Sequence, residues 1–462
     1  MRIHLIAIGG SAMHNLALAL AREGHSVSGS DDEIYNPARD RLAAYGLLPT
    51  QFGWDPERIS SDLDLVILGM HAHRDNPELQ RAMELEVPIF SYPEFLYRHA
   101  RSQRRVVIAG SHGKTTTTSL IMHLLQKSNS DFDYLVGAQI EGFELMVRLS
   151  DAPAIVIEGD EYLSSALDPR PKFLHYRPHL VVITGIAWDH MNVFPTFEEY
   201  RAQFARLLEV VEPGGKVFYF EGDPQLQELC AAGPAHLEYV PYRAFPAVRE
   251  GEVSYLELNG ERLPLQLFGQ HNLENVRAAY LVARELGLSD GEFAAALPSF
   301  RGAAKRLQLL AANGSRRVYL DFAHAPSKVR ATVHAVREQF PDARLLACFE
   351  LHTYSSLNQA FLPQYGGAMD EADEAIVFFT PHTLEMKRLP PLDPEQLRGY
   401  FRRSDLLVFT DSADLQRHLQ EAHPSGPTVW LLMTSGNLGG LNLPELAGLL
   451  LKAPKDPGIQ GS

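Results

Sequence analysis

The stretch Arg105-Val-Val-Ile-Ala-Gly-Ser-His-Gly-Lys-Thr-Thr-Thr-Thr-Ser-Leu120 constrains this 462-residue chain more than any other. An apolar, β-branched run ends at Gly110, and Gly113-Lys114-Thr115 opens a helix-compatible segment that reaches about Lys127. Backbone N–H groups in such a strand-to-helix turn, with the positive end of the helix dipole, form a cradle for phosphate oxygens. Gly110, Ser111, His112, Gly113 and Thr116 would line that cradle. Lys114 would reach the β- and γ-phosphates of ATP, and the Thr115 hydroxyl would sit on Mg²⁺. As an exposed loop residue, Lys114 would contribute little to packing. The usual P-loop has glycine where Ile108 stands, so the spacing here is a shortened G-x-x-G-K-T-T.

Length and composition narrow the class. At roughly 150 residues per domain, three domains are expected, each burying its own core. No apolar run approaches the roughly 18 residues of a membrane span. Met1-Arg-Ile-His-Leu-Ile-Ala-Ile-Gly-Gly10 runs into a glycine turn and reads as a first strand, not a signal peptide. The two cysteines, Cys230 and Cys348, form no disulfide framework or metal spacing; both read as buried thiols of a cytoplasmic protein. A net charge of −15 argues against nucleic acid as a partner. Anionic substrates must therefore meet locally basic or N–H-rich pockets. A monomer or weak homo-oligomer is expected.

Periodicity divides the chain into three α/β blocks. Residues 1–103 alternate short strands (Ile3–Ile8, Leu65–Leu68) with helical stretches (Asn15–Glu23, Asn76–Glu84), a Rossmann-like pattern. Residues 104–312 carry the phosphate loop in a P-loop ATPase-like mixed sheet, with a β-rich patch whose Asn259-Gly260 is a hairpin signal. Residues 313–452 hold five strands, Val318–Asp321, Leu345–Phe349, Ala375–Phe379, Leu406–Phe409 and Val429–Met433, in a second Rossmann-like, doubly wound sheet. The tail, 453–462, reads as disordered.

Four further motifs follow in order. Glu158-Gly-Asp-Glu161 closes the strand Pro153–Ile157, and Asp189-His190-Met-Asn192 follows the strand Leu180–Ile186. Gly269-Gln-His-Asn-Leu-Glu-Asn275 opens a helix, and Asp321-Phe-Ala-His-Ala-Pro326 ends another strand. With the shortened phosphate loop, this series resembles the Mur ligase and folylpolyglutamate synthetase superfamily over nearly the whole chain. The resemblance implies an ATP-dependent, amide-forming ligase. Thr115 and Glu158 would hold Mg²⁺, with His190 a further ligand, while Asp160 and Glu161 either assist or merely solubilise the loop. Metal is needed because the acceptor carboxylate and the γ-phosphate repel each other. Asn272 and Asn275 suit the adenine edge, or cap their helix. In Phe300-Arg-Gly-Ala-Ala-Lys-Arg306, Arg306 matches the family's γ-phosphate arginine, with Lys305 assisting. Asp321 suits the ribose hydroxyls and His324 nearby stacking. Several members carry a carbamylated lysine where Phe204 stands here, which fits the branches adding L-alanine or a tripeptide.

The first block presents Gly9-Gly10-Ser11, then Asp31 at the spacing of a Rossmann acid. Ala12 and Met13 replace the later glycines, so NAD is disfavoured. The resemblance supplies instead the diphosphate of UDP-N-acetylmuramate, with His71, Arg74 and Asn76 as polar contacts or, for Arg74, a solvated loop residue. Glu350-Leu-His-Thr-Tyr354 and Thr434-Ser-Gly-Asn437 offer His352, Ser435 and Asn437 for the incoming amine, or an ordinary turn. Gly69-Met-His-Ala-His-Arg-Asp-Asn-Pro-Glu78 and Asp160-Glu-Tyr…Lys172-Phe-Leu-His-Tyr-Arg-Pro178 resemble the branch that joins the murein tripeptide L-alanyl-γ-D-glutamyl-meso-diaminopimelate to UDP-N-acetylmuramate in peptidoglycan recycling. Arg170 and Lys172, with His175 and Arg177, would meet the tripeptide's carboxylates, or merely form a solvated connection. The alternatives are the L-alanine-adding branch and, from another class, a non-catalytic nucleotide-binding regulator.

Overall fold

The computed structural model describes residues 1–421 and 426–452; the tail expected to be disordered, 453–462, lies outside them. The first domain is a four-stranded parallel sheet of β1 (Arg2–Ile6), β2 (Ser26–Ser30), β3 (Leu65–Leu68) and β4 (Ile89–Ser91), in the order β2-β1-β3-β4. All four residues of β3, Leu-Val-Ile-Leu, are buried, as expected of a parallel strand covered on both faces. β1 is shorter than expected because Ala7, at φ 67°, leaves the extended region. The following helix begins at Ser11, straight after Gly10, and sinks Met13, Leu16, Ala17 and Leu20 into the core.

The central sheet has β5 (Arg104–Ala109), β6 (Asp133–Leu135), β7 (Val147–Arg148), β8 (Ala154–Glu158), β9 (Leu180–Ile183), β10 (Lys216–Phe220) and β11 (Glu238–Tyr242). Their order is β11-β10-β9-β5-β8-β6-β7, parallel except for β7. β5 thus lies between β9 and β8, so the three chain segments that leave their carboxyl ends emerge side by side. Crevices at such a point are where open α/β sheets bind ligands. The phosphate-loop helix, Lys114–Lys127, packs Leu120, Ile121 and Leu124 in one cluster with Val276, Ala279 and Val282 of the helix Gln270–Glu285. Beyond β11, a three-stranded antiparallel sheet runs β12 (Ala247–Glu250), β13 (Val253–Leu258) and β14 (Glu261–Leu265). Asn259 and Gly260, at φ 52° and 84°, make the expected β13–β14 turn.

The third domain holds β15 (Gln308–Asn313), β16 (Arg316–Asp321), β17 (Arg344–Glu350), β18 (Glu374–Phe378), β19 (Leu407–Phe409) and β20 (Thr428–Met433), ordered β15-β16-β20-β17-β18-β19. The five expected strands are present and parallel. β15, which sequence periodicity does not reveal, pairs antiparallel with β16, so the third sheet starts at Gln308 and not at 313. It is an edge strand, partly or fully exposed along its length and broken by a bulge between Leu309 and Ala311, which erases the alternating pattern. Among the described residues no helix is long and apolar enough to cross a membrane.

Candidate active site

β5 delivers the phosphate loop. Gly110 (φ 120°) and Gly113 (φ 69°) occupy backbone that side chains rarely adopt, and any side chain there would collide with Thr184 or with the Asn275 amide. Gly113 caps the helix without a side-chain hydrogen bond, which leaves the first-turn N–H groups for a ligand. Lys114 is not the exposed loop residue expected from sequence. Its side chain is only 15% exposed, and its ammonium donates to the Gly110 carbonyl (2.6 Å) and to Glu161 (2.8 Å). Burial works against its charge, but Glu161, aided by Asp160 and Glu158, outweighs burial and raises its pKa.

Glu161, read from sequence as assisting or merely solubilising, is buried at the centre of a network. Its other oxygen accepts from the Tyr200 hydroxyl (3.0 Å) and lies 3.4 Å from His190 Nε2. Burial opposes ionisation, yet Lys114 and His190 hold the carboxyl far below its ordinary range. His190 sits at φ 56°, with its ring edge-on to Tyr162 (5.3 Å). Its pKa is raised, because Asp189 and Glu161 overcome the burial that would lower it. Thr115 donates to Glu158 (2.8 Å), whose other oxygen accepts from Gly137 N–H (2.9 Å). Asp160, Glu161 and His190 also offer ligand atoms within 4.8 Å of one another. Oxygen donors from Thr115, Glu158 and Asp160 with one imidazole suit a hard divalent cation such as magnesium.

Two cavities meet at these residues. The larger, about 810 Å³, is lined by Ser111 to Thr116, Glu158, Asp160 and His190, and by Asn272, Asn275, Arg306, Asp321 and His324. The smaller, about 300 Å³, is lined by Gly10, Ser11 and His71 of the first domain and by Lys172. Lys114, Glu158 and Asp160, with Gly137, line both and therefore form the wall between them.

Several expected residues have other employment. Asp31 accepts from Gly9 N–H (2.7 Å) and Asp32 N–H (3.0 Å), so it braces the glycine turn. Burial pushes its pKa up to about 6. Because the folded pKa lies above the unfolded value of 3.8, the native state holds the proton longer and loses stability as pH rises between those values. Relative to Asp31→Asn, the protein should therefore show a falling urea midpoint across that window; a constant difference would contradict this burial effect. Arg74 donates to the Ala166 carbonyl (2.9 Å), tying the first domain to the 160s loop, and Asn76 caps the helix Pro77–Glu84.

Arg170 and Lys172 part company. Arg170 is exposed and paired with Asp168, whereas Lys172 is half-buried in the smaller cavity against Asp160 (2.5 Å). Asn272 donates to the Phe268 carbonyl (2.9 Å), and Asn275 accepts from Thr117 (3.3 Å). Asp321 accepts from Leu307 N–H (2.7 Å) and Ala323 N–H (2.8 Å). At the ends of β17 and β20, His352 lies 3.7 Å from Glu350 and next to Gly436, and the Ser435 hydroxyl is buried without a partner. Asn437 accepts from Gly440 N–H (2.9 Å), a turn role.

Contacts between the central and third domains converge on the loop. Arg306 donates to Thr115 (3.3 Å) and lies over the Phe322 ring, while Lys328 donates to Asp189 (3.1 Å), which His324 also approaches at 3.4 Å. Sequence reasoning missed Lys328; its place in the first turn of the helix Pro326–Gln339, just after the Asp321–Pro326 motif, was the available signal.

Comparison with known proteins shows the family. The Mur ligase middle domain matches residues 108–283, the Mur ligase catalytic domain 2–104 and the Mur ligase C-terminal, glutamate ligase domain 305–436. UDP-N-acetylmuramate–L-alanine ligase of Rubrobacter xylanophilus is 32% identical over 82% of this chain and 83% of its own. The chain belongs to the Mur ligase family. This Mur ligase is accordingly an ATP-dependent, amide-bond-forming enzyme, which removes the reading as a non-catalytic regulator. It is also 29% identical to UDP-N-acetylmuramate–L-alanyl-γ-D-glutamyl-meso-2,6-diaminoheptandioate ligase of Escherichia coli, over 98% of this chain and 99% of that one. Its fold matches a murein peptide ligase of Psychrobacter arcticus with a TM-score of 0.68 at 23% identity, covering 97% and 98% of the two chains.

Proposed function

We propose that this Mur ligase joins L-alanyl-γ-D-glutamyl-meso-diaminopimelate to the lactyl carboxylate of UDP-N-acetylmuramate through an acyl phosphate, as in peptidoglycan recycling in the cytoplasm. The observation that carries the reading is the wall of Lys114, Glu158 and Asp160 between the two cavities. ATP in the larger cavity would direct its γ-phosphate at that wall. UDP-N-acetylmuramate would lie with its diphosphate on the N–H groups after Gly9 and Gly10 and its carboxylate in the smaller cavity.

The reaction begins with two anions that repel each other, so the wall must supply positive charge. Lys114 does so from the loop and Arg306 from the third domain, its fork matching a phosphoryl group in flight. Lys172 does so from the acceptor side, and its pairing with Asp160 leaves little freedom to lose. Magnesium held by Thr115, Glu158 and His190 would add further charge neutralisation. The carboxylate oxygen attacks the γ-phosphorus and ADP leaves. The amine then attacks the acyl carbon, and phosphate departs from the tetrahedral intermediate. Closure of the third domain over the loop keeps water from the acyl phosphate.

The tripeptide branch is favoured by the relative from Escherichia coli, aligned over nearly the whole of both chains, and by Lys172-Phe-Leu-His-Tyr-Arg177. The Rubrobacter relative keeps the L-alanine-adding branch as the second reading. Phosphate release with ATP and UDP-N-acetylmuramate should be strongly stimulated by the tripeptide and little by L-alanine. Efficient ligation of L-alanine with no use of the tripeptide would assign the enzyme to the other branch.

A further inference from the structure

The two asparagines expected at the adenine edge are largely spoken for. Asn272 donates to the Phe268 carbonyl and accepts weakly from Asn275 (3.4 Å), which in turn accepts from Thr117. The Thr117 bond ties the helix Gln270–Glu285 to the phosphate-loop helix, and the other two are local to its start. Between the two asparagines stands Glu274, partly buried and lining the same cavity of about 810 Å³. Burial alone raises its pKa to about 7, and no hydrogen bond or ion pair reaches its carboxyl among the described residues. A carboxyl facing a ligand cavity without a protein partner is a recognition group in search of a donor.

The geometry says which part of the nucleotide it meets. An ATP molecule is extended, so phosphates on the loop after β5 place the base at the other end of the cavity. That end is made by Phe220, Gly222 and Pro224, at and beyond the end of β10. In the sheet order β10 lies two strands from β5, roughly 10 Å away. Glu274 is close enough to Tyr242, whose ring neighbours Phe220 at 6.0 Å, to raise that phenol's pKa further. The site thus combines an aromatic and proline surface for a flat base with one free carboxyl at its edge.

We propose that Glu274 selects adenine, its carboxyl oxygen accepting a hydrogen bond from the exocyclic amine of the base; this rests on the larger cavity being the ATP site. As a carboxylate the group offers acceptors only, which suits the N–H of the exocyclic amine. Inosine presents a carbonyl in place of that amine and would face the carboxylate with an acceptor.

The test is the ratio of kcat/KM for ATP over ITP in the phosphate-release assay, with the ADP-over-IDP ratio of binding constants measured by calorimetry so that a loss of catalysis does not hide the result. Glu274→Ala should lower both ratios by about tenfold, mostly by weakening the adenine nucleotide. Glu274→Gln, whose amide can turn its NH₂ to donate to the carbonyl of inosine, should lower them as well. A folded Glu274→Ala enzyme with undiminished preference for adenine overturns the proposal, as does a Glu274→Gln variant that keeps the preference in full. Failure of the unsubstituted enzyme to turn over either nucleotide, or to bind ADP, would instead overturn the assignment of the cavity to ATP, and the proposal with it.

Discussion

Lys114→Ala should lower phosphate release on the order of 10²–10³-fold, because a preorganised charge aimed at a transferring group is worth several kcal/mol in a water-excluded site. The structure adds a second consequence. Lys114 is buried against Glu161, so deleting it leaves that carboxylate with only Tyr200 and His190. Removing one partner of a buried pair typically costs about 3–5 kcal/mol, whereas removing both is far milder. Lys114→Ala should therefore melt early as well as turn over slowly. The double variant Lys114→Met/Glu161→Gln should recover much of the melting temperature and none of the activity. Calorimetry beside the phosphate assay separates the two effects. Near-normal turnover by any folded protein lacking the Lys114 ammonium would rule out its role at the γ-phosphate.

Glu158→Gln should have the next largest effect, at least about 10²-fold in kcat at saturating Mg²⁺. The amide keeps the hydrogen bond from Thr115 but loses the charge a divalent cation requires. It should also raise the Mg²⁺ concentration needed for half-maximal rate, which a purely structural role would leave alone. In crystals with ATP and Mn²⁺, anomalous density beside Glu158 and His190 is expected; density away from both would contradict their assignment as ligands.

How much of this was legible in the sequence follows from how local each signal is. The phosphate loop is written in consecutive residues, and β-branched runs with glycine punctuation mark β5, β8 and β9. Their carboxyl-end residues could therefore be named from sequence alone. Partnership was not legible, because it depends on strand order. Nothing in Glu158-Gly-Asp-Glu161 says that Glu158 turns to Thr115 while Glu161 turns to Lys114. Arg170 and Lys172 look like one basic patch in sequence, but Pro171 separates them and a short 3₁₀ turn starts at Lys172, sending the two side chains to different cavities. Asp31 fits the spacing of a ribose acid, yet with the glycine turn closed tightly its carboxyl is taken up by Gly9 N–H. β15 was missed because an exposed, bulged edge strand lacks the alternation that marks a half-buried one.

The proposed reaction across the wall of Lys114, Glu158 and Asp160 makes one chemical demand: the γ-phosphate would pass directly to the substrate carboxylate. Turnover of UDP-N-acetylmuramate carrying ¹⁸O in its lactyl carboxylate, with mass spectrometry of the products, reads this directly. One labelled oxygen should appear in inorganic phosphate for each amide bond formed, with ADP unlabelled. Unlabelled phosphate, or label in AMP, would contradict it.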